Sequence, residues 1–445
     1  MNDPLRGYRS IGENVKIFPT AKLVLRDGIE IGSNVIIDDF AFIVGGKPGD
    51  PMTRIGDYVH IASFTSFTGG GELVLGDFTS YGSGTKIVTG SEYFTEGSCL
   101  TNPTVPAPFR QAKRSFVHIE KHCILGLNVT VMPGVTIGEG CAVGANTLVL
   151  KDLAPWGIYA GSPAKRIGER PSARILELEK ELREDERNRP MVSIVILAFN
   201  QKDFIRNAIE SALMQKTSFP IEVIVHDDAS TDGTAEIIRD YASRFPEIVK
   251  PIFQDENQFS KNGVYPIIYA YEKALGKYIA ECDGDDYWTD TSKLQRQVDY
   301  MEAHPGFVLC HHAYQVSENG AMRPPNRDRP KDFTAEELVA MPIAGYGIGS
   351  CTKLYRNLYS AATRQDFLDF TGDYPMNVFL GMHGGAKFLA DIRPSVYRRL
   401  NGNNSWSSLP GPVKTQKTKE MQRRLYDLMV AKGNPDWIRI RKAYL

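Results

Sequence analysis

An aliphatic side chain recurs at every sixth position between residues 119 and 149. The residues at this spacing are Ile119, Leu125, Val131, Ile137, Val143 and Val149. A period of six fits neither an α-helix, which repeats at 3.6 residues, nor a flat strand, which repeats at two. Glycine and asparagine, which accept tight turns, occupy intervening positions such as Gly126, Asn128 and Gly134. The pattern predicts short strands joined by corners, three to a triangular coil, with the aliphatic side chains directed inward in a parallel β-helix.

Shifted copies of the same pattern precede this run. They are formed by Ile11, Ile17 and Leu23, by Ile31, Ile37 and Ile43, by Ile55, Ile61 and Phe67, and by Leu75, Tyr81 and Ile87. The repeats resemble the hexapeptide-repeat acyltransferases. This resemblance implies a left-handed β-helix that assembles as a homotrimer, with an acyl-CoA bound between neighbouring subunits.

A long interruption separates Val88 from Phe116 in this pattern. Long insertions in solenoid repeats gather on the binding face, so we expect this segment to contact a substrate or a neighbouring subunit. In many O-acetyltransferases of the family a histidine in this loop is the base, but the loop here contains no histidine. Because a neutral amine needs less activation than a hydroxyl, this difference favours N-acylation.

Three histidines, His60, His118 and His122, are present in the predicted β-helix. His60 resembles a histidine of some sugar N-acyltransferases, and we predict that it is the catalytic base, with a purely structural histidine as the alternative interpretation. Glu96 in the long loop is the alternative base. His118 and His122 flank the inward Ile119 and are interpreted as turn or surface residues. The whole segment is similar to acyltransferases of dTDP-4-amino-4,6-dideoxyglucose.

The segment after Val149 resembles the end of the family's β-helix. Its turn Gly161-Ser162-Pro163-Ala164-Lys165 matches the family segment that helps to hold the pantetheine and phosphates of coenzyme A. The resemblance implies that the acetyl-CoA cosubstrate is contacted by Gly126, Gly144, Ala145, Lys151, Gly161, Pro163 and Lys165. A lysine at an exposed turn is a suitable phosphate partner, and a solvated surface lysine is the alternative interpretation.

A charged amphipathic helix is predicted next from the spacing of Ile175, Leu178 and Leu182. The pattern then changes to the apolar run VSIVILAF, an amphipathic helix and a second apolar run, IEVIV. Buried strands that alternate with helices predict a doubly wound α/β sheet, whose ligands bind at the carboxyl ends of the strands. The predicted multidomain organisation is a β-helix over residues 1–170, a linker helix over 171–190, an α/β domain over 191–410 and a helical tail over 411–445.

Carboxylates end two of the predicted strands. Asp227 and Asp228 follow one strand, and Asp283, Asp285 and Asp286 follow another. Clustered carboxylates repel one another unless a cation lies between them. Mg²⁺ and Mn²⁺ prefer oxygen ligands and commonly bridge carboxylates to a diphosphate. The sequence therefore predicts a divalent metal site, with a solvated turn as the alternative for the Asp-Gly-Asp-Asp segment taken alone.

The DDAS and CDGDDYW segments resemble family 2 inverting glycosyltransferases of the GT-A fold, over about residues 192–406. The resemblance implies that the nucleotide-sugar donor is bound by Asn200, Asp227, Asp228 and Asp283. It also implies that Asp283 and Asp285 bind Mg²⁺ or Mn²⁺, with Asp285 as the more direct ligand.

Two later segments bear on the same resemblance. Thr371-Gly372-Asp373-Tyr374-Pro375 resembles the family segment that carries the general base, so we predict that Asp373 deprotonates the acceptor hydroxyl. Relatives often contain Tyr-Arg-x-His near the end of the domain, whereas Tyr397-Arg398-Arg399 is followed here by Leu400. Any role of that histidine at the metal is therefore absent or replaced.

Composition excludes several classes of partner and location. The net charge of −1 and the lack of a large basic block argue against nucleic acid. No apolar run approaches the roughly 20 residues that span a bilayer, and the N-terminus has no signal-peptide core, so we expect a cytoplasmic protein with at most peripheral membrane association. The six cysteines lack CxxC pairing and zinc-finger spacing, which predicts reduced and mostly buried thiols.

These patterns together predict a bifunctional enzyme of surface-polysaccharide biosynthesis. One activity is acetyl-CoA-dependent acyl transfer to an amino sugar, in particular a nucleotide-linked 4-amino-4,6-dideoxyhexose. The other is metal-dependent inverting transfer from a nucleotide sugar to a glycan or lipid-linked acceptor. Two alternatives stay open for the first domain: a carbohydrate O-acetyltransferase, and a non-catalytic β-helix that only trimerises the glycosyltransferase.

Overall fold

The computed structural model divides the chain into two compact units, residues 1–182 and 183–445. The described residues are 7–46, 52–92, 99–100, 102, 104–262, 267–318, 320–323, 331–340, 348–360, 363–370, 373–399 and 411–442. Each unit is described by itself.

The first unit is a parallel β-helix. Its strands, in chain order, are β1 (Ser10–Ile11), β2 (Lys16–Ile17), β3 (Lys22–Val24), β4 (Ile29–Ile31), β5 (Ile36–Ile37), β6 (Phe42–Val44), β7 (Thr53–Ile55), β8 (His60–Ile61), β9 (Ser66–Thr68), β10 (Glu72–Leu75), β11 (Ser80–Tyr81), β12 (Lys86–Val88), β13 (Gly90–Glu92), β14 (Ala112–Arg114), β15 (Phe116–Ile119), β16 (Ile124–Leu125), β17 (Thr130–Val131), β18 (Val135–Ile137), β19 (Ala142–Val143), β20 (Leu148–Val149), β21 (Gly157–Ala160) and β22 (Lys165–Glu169).

Each successive coil adds one short strand to each of three sheets. The sheet orders are β1-β4-β7-β10-β15-β18, then β2-β5-β8-β11-β16-β19-β21-β22, and β20-β17-β12-β9-β6-β3. Neighbouring coils pair in parallel and in register, so that Leu125 lies beside Val143. The last strand, β22, instead returns antiparallel to β21. This confirms the predicted β-helix.

The sixfold run forms the centre of the β-helix core. All six of its members, from Ile119 to Val149, are no more than 3% exposed, which confirms that they point inward. A second buried set, which the sequence did not predict, lies two positions before each of them and consists of Val117, Cys123, Val129, Val135, Cys141 and Thr147. In β15 and β18 both positions lie on one face of the strand, whereas in the two-residue strands the earlier position directly precedes the strand.

The long interruption begins and ends in a two-stranded antiparallel pair. Strands β13 and β14 pair Gly90 with Arg114 and Glu92 with Ala112. Residues 93–98, 101 and 103, including the alternative base Glu96, lie outside the described residues. The pair therefore defines where the segment leaves the coil.

The second unit contains an α/β sheet. Its strands are β23 (Val192–Ala198), β24 (Ile221–Asp227), β25 (Val249–Phe253), β26 (Tyr278–Asp283), β27 (Phe307–His311), β28 (Tyr314–Glu318), β29 (Ala321–Met322), β30 (Leu354–Arg356), β31 (Gly385–Phe388) and β32 (Ser395–Arg399). The main sheet has the order β25-β24-β23-β26-β30-β27-β31, and a small sheet has the order β29-β28-β32. Because β23 is central and paired on both sides, its run of apolar residues is buried along nearly its whole length.

The helices, in chain order, are α1 (Ala173–Asn188), α2 (Ile205–Leu213), α3 (Thr234–Arg244), α4 (Gln258–Asn262), α5 (Ile267–Tyr271), α6 (Lys293–Ala303), α7 (Ala335–Ala340), α8 (Arg364–Asp369), α9 (Asp373–Gly381), α10 (Gly411–Ala431) and α11 (Pro435–Lys442). Helix α1 occupies the predicted linker and α10 the predicted tail. Leu425 and Met429 of α10 are fully buried in a core cluster of the second unit. No helix in the described part of the chain is long and apolar enough to cross a membrane.

Five of the six cysteines, Cys123, Cys141, Cys282, Cys310 and Cys351, are buried thiols, as predicted.

Candidate active sites

His60 projects from the outer surface of the β-helix on β8, whose neighbouring residue Ile61 points into the core. Its Nε2 atom lies 3.0 Å from Oδ2 of Asp38, which belongs to the preceding coil. The His60 side chain is 48% exposed and the Asp38 side chain 28%. A carboxylate at one ring nitrogen fixes the imidazole tautomer and orientation, which is a suitable arrangement for a general base.

The other two histidines have structural contacts. His118 lies on β15, with its Nε2 atom 3.0 Å from Oε2 of Glu72. His122 is buried at a corner of the coil, stacked on Phe78 with ring centroids 5.1 Å apart. Its Nε2 atom is 2.8 Å from Oε2 of Glu179 on α1. His118 thus has a carboxylate partner at the same distance as His60, and His60 is the most exposed histidine of the three. The choice of His60 as the base stays a prediction.

The small residues predicted to contact coenzyme A lie at stacked corners of the last coils. A Cβ atom added to Gly126 would lie 2.8 Å from the backbone nitrogen of Ala145, and one added to Gly144 would lie 3.3 Å from Cβ of Ala160. Gly161 adopts a φ of +98°, in the region that favours glycine. Its carbonyl accepts a hydrogen bond of 3.1 Å from the Leu148 amide. These corners form a closely packed backbone surface.

The two lysines and the proline predicted to contact coenzyme A also lie at the C-terminal end of the β-helix. Pro163 is part of the turn that leads into β22, and Lys165 is the first residue of that strand. Lys151 follows β20, and both lysines are exposed. The structure thus places two cations at the surface of the terminal coils. Whether they contact a phosphate stays a prediction.

In the second unit, the acidic strand ends flank the central strand β23. Ala198 pairs with Asp227 of β24, and Leu197 pairs with Asp283 of β26. The predicted carboxylates are therefore brought to one edge of the sheet, as expected for parallel strands.

Asp227 and Asp228 are both 2% exposed. Oδ2 of Asp227 accepts a hydrogen bond of 3.1 Å from the Ser230 amide, while its buried Oδ1 atom has no hydrogen-bond partner among the described residues. Burial raises the pKa of Asp227 despite the hydrogen bonds from Ser230. Asp228 instead accepts the amides of Gln258, at 2.8 Å, and Phe259, at 3.2 Å, at the start of α4. Its role in this geometry is to hold that helix end.

Asn200 bridges the loops that follow β23 and β24. Its Oδ1 atom accepts a hydrogen bond of 2.8 Å from the backbone amide of Thr231, and the backbone amide of Asn200 donates one of 2.9 Å to Oγ of Ser230. Asn200 and Ala229 both have positive φ values, 52° and 63°. Left-handed backbone at non-glycine residues is costly and concentrates at ligand sites, which agrees with a binding role for these loops.

Asp283, Asp285 and Asp286 form a second acidic group. Oγ of Ser350 donates a hydrogen bond of 2.8 Å to Oδ2 of Asp283. Burial raises the pKa of Asp285, and the charge of Arg398 opposes this effect. Asp286 is fully buried, and burial followed by the charges of Asp283 and Asp285 raises its pKa well above the usual range. The site therefore holds more buried negative potential than its own side chains neutralise.

Sequence reasoning missed three residues at these sites. They are Asp38 beside His60, Ser350 beside Asp283, and Arg398, whose Nη1 atom donates a hydrogen bond of 2.9 Å to the Asp285 carbonyl. Each lies far from its partner in sequence, so no local motif contains the pair. Asp373 begins α9, but its side chain and residues 371–372 lie outside the described residues.

The first unit is similar to a dTDP-4-amino-4,6-dideoxy-D-glucose acyltransferase of Escherichia coli. The two are 39% identical over 173 residues, which make up 39% of this chain and 88% of the relative. The family model for the hexapeptide repeat of succinyl-transferase also matches residues 116–151. The chain belongs to the hexapeptide-repeat acyltransferases.

A solved structure is similar to the same acyltransferase region. It is a mutant of AntD, an N-acyltransferase from Bacillus cereus, in complex with dTDP and coenzyme A. The identity is 37%, the match covers 40% of this chain and 93% of AntD, and the TM-score is 0.36.

The acyltransferase unit is followed by a family 2 glycosyltransferase domain, whose family model matches residues 193–361. This chain is 39% identical over 124 residues to an Escherichia coli UDP-Glc:α-D-GlcNAc-diphosphoundecaprenol β-1,3-glucosyltransferase, covering 28% of this chain and 46% of the relative. The chain also spans 43% of the length of an uncharacterized protein of Mycobacterium bovis to which it is 41% identical.

Proposed function

We propose that this chain is a bifunctional enzyme of surface-polysaccharide biosynthesis that acylates a nucleotide-linked amino sugar and transfers a sugar from a nucleotide donor. The observation that carries the proposal is the similarity of the first unit to an acyltransferase of dTDP-4-amino-4,6-dideoxy-D-glucose over 88% of that relative. The family 2 domain in the same chain supplies the second activity. We also propose the following domain bounds: 1–170 for the acyltransferase β-helix, 171–190 for the linker helix, 191–410 for the glycosyltransferase domain and 411–445 for the helical tail.

In the acyl-transfer step, the sugar amine attacks the thioester carbonyl of acetyl-CoA. An amide bond forms, the carbon–sulfur bond breaks, and coenzyme A leaves as the thiolate. His60 accepts the proton of the attacking amine and gives it to the departing sulfur, and Asp38 orients the imidazole. The pantetheine arm lies along the corners at Gly126, Gly144 and Gly161, where the coils stack too closely for a Cβ atom at Gly126.

In the glycosyl-transfer step, an acceptor hydroxyl attacks the anomeric carbon of the donor sugar, and the nucleoside diphosphate leaves. Asp373 takes the proton of the hydroxyl, and Asn200, Asp227, Asp228 and Asp283 bind the nucleotide. The acceptor is a glycan or a lipid-linked saccharide, a class that includes the diphosphoundecaprenol-linked acceptor of the Escherichia coli glucosyltransferase.

Mg²⁺ or Mn²⁺ fits the acidic edge of the sheet. Burial raises the pKa of Asp285, and burial together with the charges of Asp283 and Asp285 raises that of Asp286, so a cation would lower the electrostatic energy of the site. No group of three or more potential ligand side chains within the described ranges is arranged to hold a metal on its own. Magnesium sites of this kind use one or two carboxylates and complete the shell with substrate phosphates. Asp283 and Asp285 would hold the ion, which would supply positive charge to the leaving diphosphate.

A mass-spectrometric assay tests the acyl-transfer activity. The purified chain is incubated with acetyl-CoA and a panel of dTDP- and UDP-sugars, with and without a 4-amino group. Acetylation of the amino sugars alone is expected. Acetylation of hydroxyl sugars would instead identify an O-acetyltransferase. Failure to bind coenzyme A would leave the β-helix as a scaffold.

We also propose that the β-helix forms a homotrimer. Light scattering on residues 1–170 is expected to give three times the monomer mass. A monomer at micromolar concentration would contradict the proposed assembly.

A further inference from the structure

Strand β32 is attached to the acidic loop that follows β26. The Val396 amide donates a hydrogen bond of 2.9 Å to the Tyr287 carbonyl, and the Tyr287 amide donates one of 3.2 Å to the Val396 carbonyl. Two residues further along β32, the Arg398 amide donates to Oδ1 of Asp286 at 2.8 Å. The backbone of this strand therefore fixes Arg398 against the loop that carries Asp285 and Asp286.

The Arg398 guanidinium is held in one orientation by three contacts. Its Nη1 atom donates to the Asp285 carbonyl at 2.9 Å. Its central carbon lies 4.8 Å from the ring centroid of Tyr287 and 5.0 Å from that of Phe204. Arginine stacks in this way while its N–H groups stay available in the guanidinium plane.

Most of the hydrogen-bonding capacity of Arg398 is unused within the part of the chain that the structure describes. Arginine has five N–H donors, and the guanidinium makes one hydrogen bond there, to the Asp285 carbonyl. The side chain is only half-buried. Because a backbone carbonyl is neutral, this hydrogen bond does not cancel the positive charge of the guanidinium, which remains beside the carboxylates.

The charge of Arg398 acts on the acidic edge. Its guanidinium donates to the Asp285 carbonyl and its amide donates to Asp286, so the charge lies at the loop that carries both residues. The nearby carboxylates Asp283 and Asp286 increase the negative potential of the site, and a nucleoside diphosphate adds more negative charge. The ordered Arg398 guanidinium, with its unused N–H donors, can therefore donate hydrogen bonds to the phosphates that the site must bind.

We propose that Arg398 is a binding residue for the diphosphate of the nucleotide sugar, to which it presents a permanent positive charge. This inference rests on the glycosyl transfer proposed above. In that reaction, the bond between the anomeric carbon and the β-phosphate oxygen breaks, and its electron pair stays on that oxygen. The acceptor oxygen bonds to the anomeric carbon and gives its proton to Asp373. Arg398 stabilises the charge that develops on the leaving diphosphate.

Binding measurements on the full chain test this role. The affinities for UDP and dTDP are measured by calorimetry with and without Mn²⁺, and those for uridine and thymidine by ligand-observed NMR. Arg398→Met is expected to weaken diphosphate binding about ten- to hundredfold, the usual range for a lost charge-assisted hydrogen bond, and to leave nucleoside binding unchanged. The loss should be proportionally largest without Mn²⁺, because the charge of the metal then no longer contributes to binding the phosphates.

Two variants complete the test. Arg398→Lys keeps the charge without the planar fork and should recover part of the diphosphate affinity. Arg393→Met removes an exposed cation close in sequence, whose guanidinium lies 3.8 Å from Asp290, and should bind as the unchanged protein does. If Arg398→Met lowers nucleoside and diphosphate affinity equally, the residue only supports the fold, and the inference is wrong. Unchanged diphosphate binding in both Arg398 variants would also overturn it. If the unaltered chain binds neither diphosphate, the proposed glycosyl transfer itself fails, and the inference falls with it.

Discussion

The buried polar side chains of the β-helix are mainly threonines at strand and corner positions, whereas the α/β unit buries Asp227, Asp228, Asp286, Lys293 and Lys353. In the β-helix, the candidate base His60 lies outside the coil and is half exposed. In the α/β unit, the candidate ligands continue directly from core strands. A solenoid packs its interior from repeated apolar positions and builds sites on its surface, while an open α/β sheet places its site at the strand ends.

This difference predicts how each unit responds to mutation. Site residues of the β-helix should be removable with little loss of stability, because they make few contacts with the core. Charged residues of the α/β unit should affect both stability and binding, because buried charges carry large desolvation costs. The following experiments test the comparison, beginning with the largest expected effect.

Asp373→Asn is expected to lower glycosyl transfer by about 10² to 10⁴, the usual loss for a general base, and to leave nucleotide binding nearly unchanged. Calorimetry with UDP and Mn²⁺, beside a transfer assay, separates the two quantities. Acetylation should be unaffected, since the β-helix forms its own site. Loss of nucleotide binding in this variant would show that Asp373 is not the base.

Asp285→Asn should weaken metal-dependent nucleotide binding as well as turnover, because this carboxylate is the predicted metal ligand. A titration with Mn²⁺ at fixed UDP measures the effect, and acetylation serves as the internal control. Binding equal to that of the unaltered chain would remove Asp285 from the metal site.

His60→Ala is expected to lower acyl transfer by about 10² to 10⁴, equivalent to roughly 3 to 5 kcal/mol of barrier, without lowering the unfolding temperature. His118→Ala, at a histidine that contacts Glu72, is the matched control and should keep most of the activity. Near-full acetylation in His60→Ala would reassign the base to Glu96 or show that the substrate amine needs none.

Leu125→Ala should destabilise the β-helix by about 2 to 5 kcal/mol, because it leaves a cavity in a closely packed core. Leu125 is 1% exposed, whereas Leu127, two positions later, is 54% exposed. Leu127→Ala should therefore change the free energy of unfolding by no more than about 0.5 kcal/mol. Denaturant unfolding of residues 1–170 compares the two, and equal effects would contradict the assigned inward face.

Lys293→Met should stabilise the α/β unit by about 3 kcal/mol at pH 7. Lys293 is fully buried, its Nζ atom has no hydrogen-bond partner among the described residues, and burial lowers its pKa from 10.5 to about 8. A change of one pKa unit between the unfolded and folded states corresponds to about 1.36 kcal/mol in the free energy of unfolding. Nζ lies 4.0 Å from the Trp288 ring centroid, a contact that offsets part of this cost.

The sign of the pH dependence follows from the lowered pKa of Lys293. The unfolded chain binds the Lys293 proton more tightly than the folded chain does. The destabilisation of the folded state by this buried lysine is therefore complete below about pH 8 and disappears as the pH rises towards 10.5. The gain from Lys293→Met should therefore shrink over this interval in thermal unfolding experiments. Lys273→Met, at an exposed lysine of the same unit, should show no such pH dependence. A gain that is constant with pH would rule out the desolvation explanation.

The sequence by itself determined the β-helix and the acidic edge of the sheet. Both are encoded locally: the hexad run repeats within neighbouring residues, and the carboxylates directly follow apolar strands. Local encoding is sufficient there because each coil or strand meets its neighbour through the same short pattern. The second inward set was missed since its members, such as Cys123 and Thr147, share no single residue type.

Only the tertiary structure decided which side chains accompany these motifs. Asp38 reaches His60 across 22 residues, because one turn of the coil stacks on the next. Arg398 reaches the Asp285 carbonyl across 113 residues, because β32 returns to the acidic loop. Contacts of this kind depend on strand order and register, which one sequence does not contain as a repeating pattern. The same folding buries Lys293, whose charge gave no sign in the sequence that it would be enclosed.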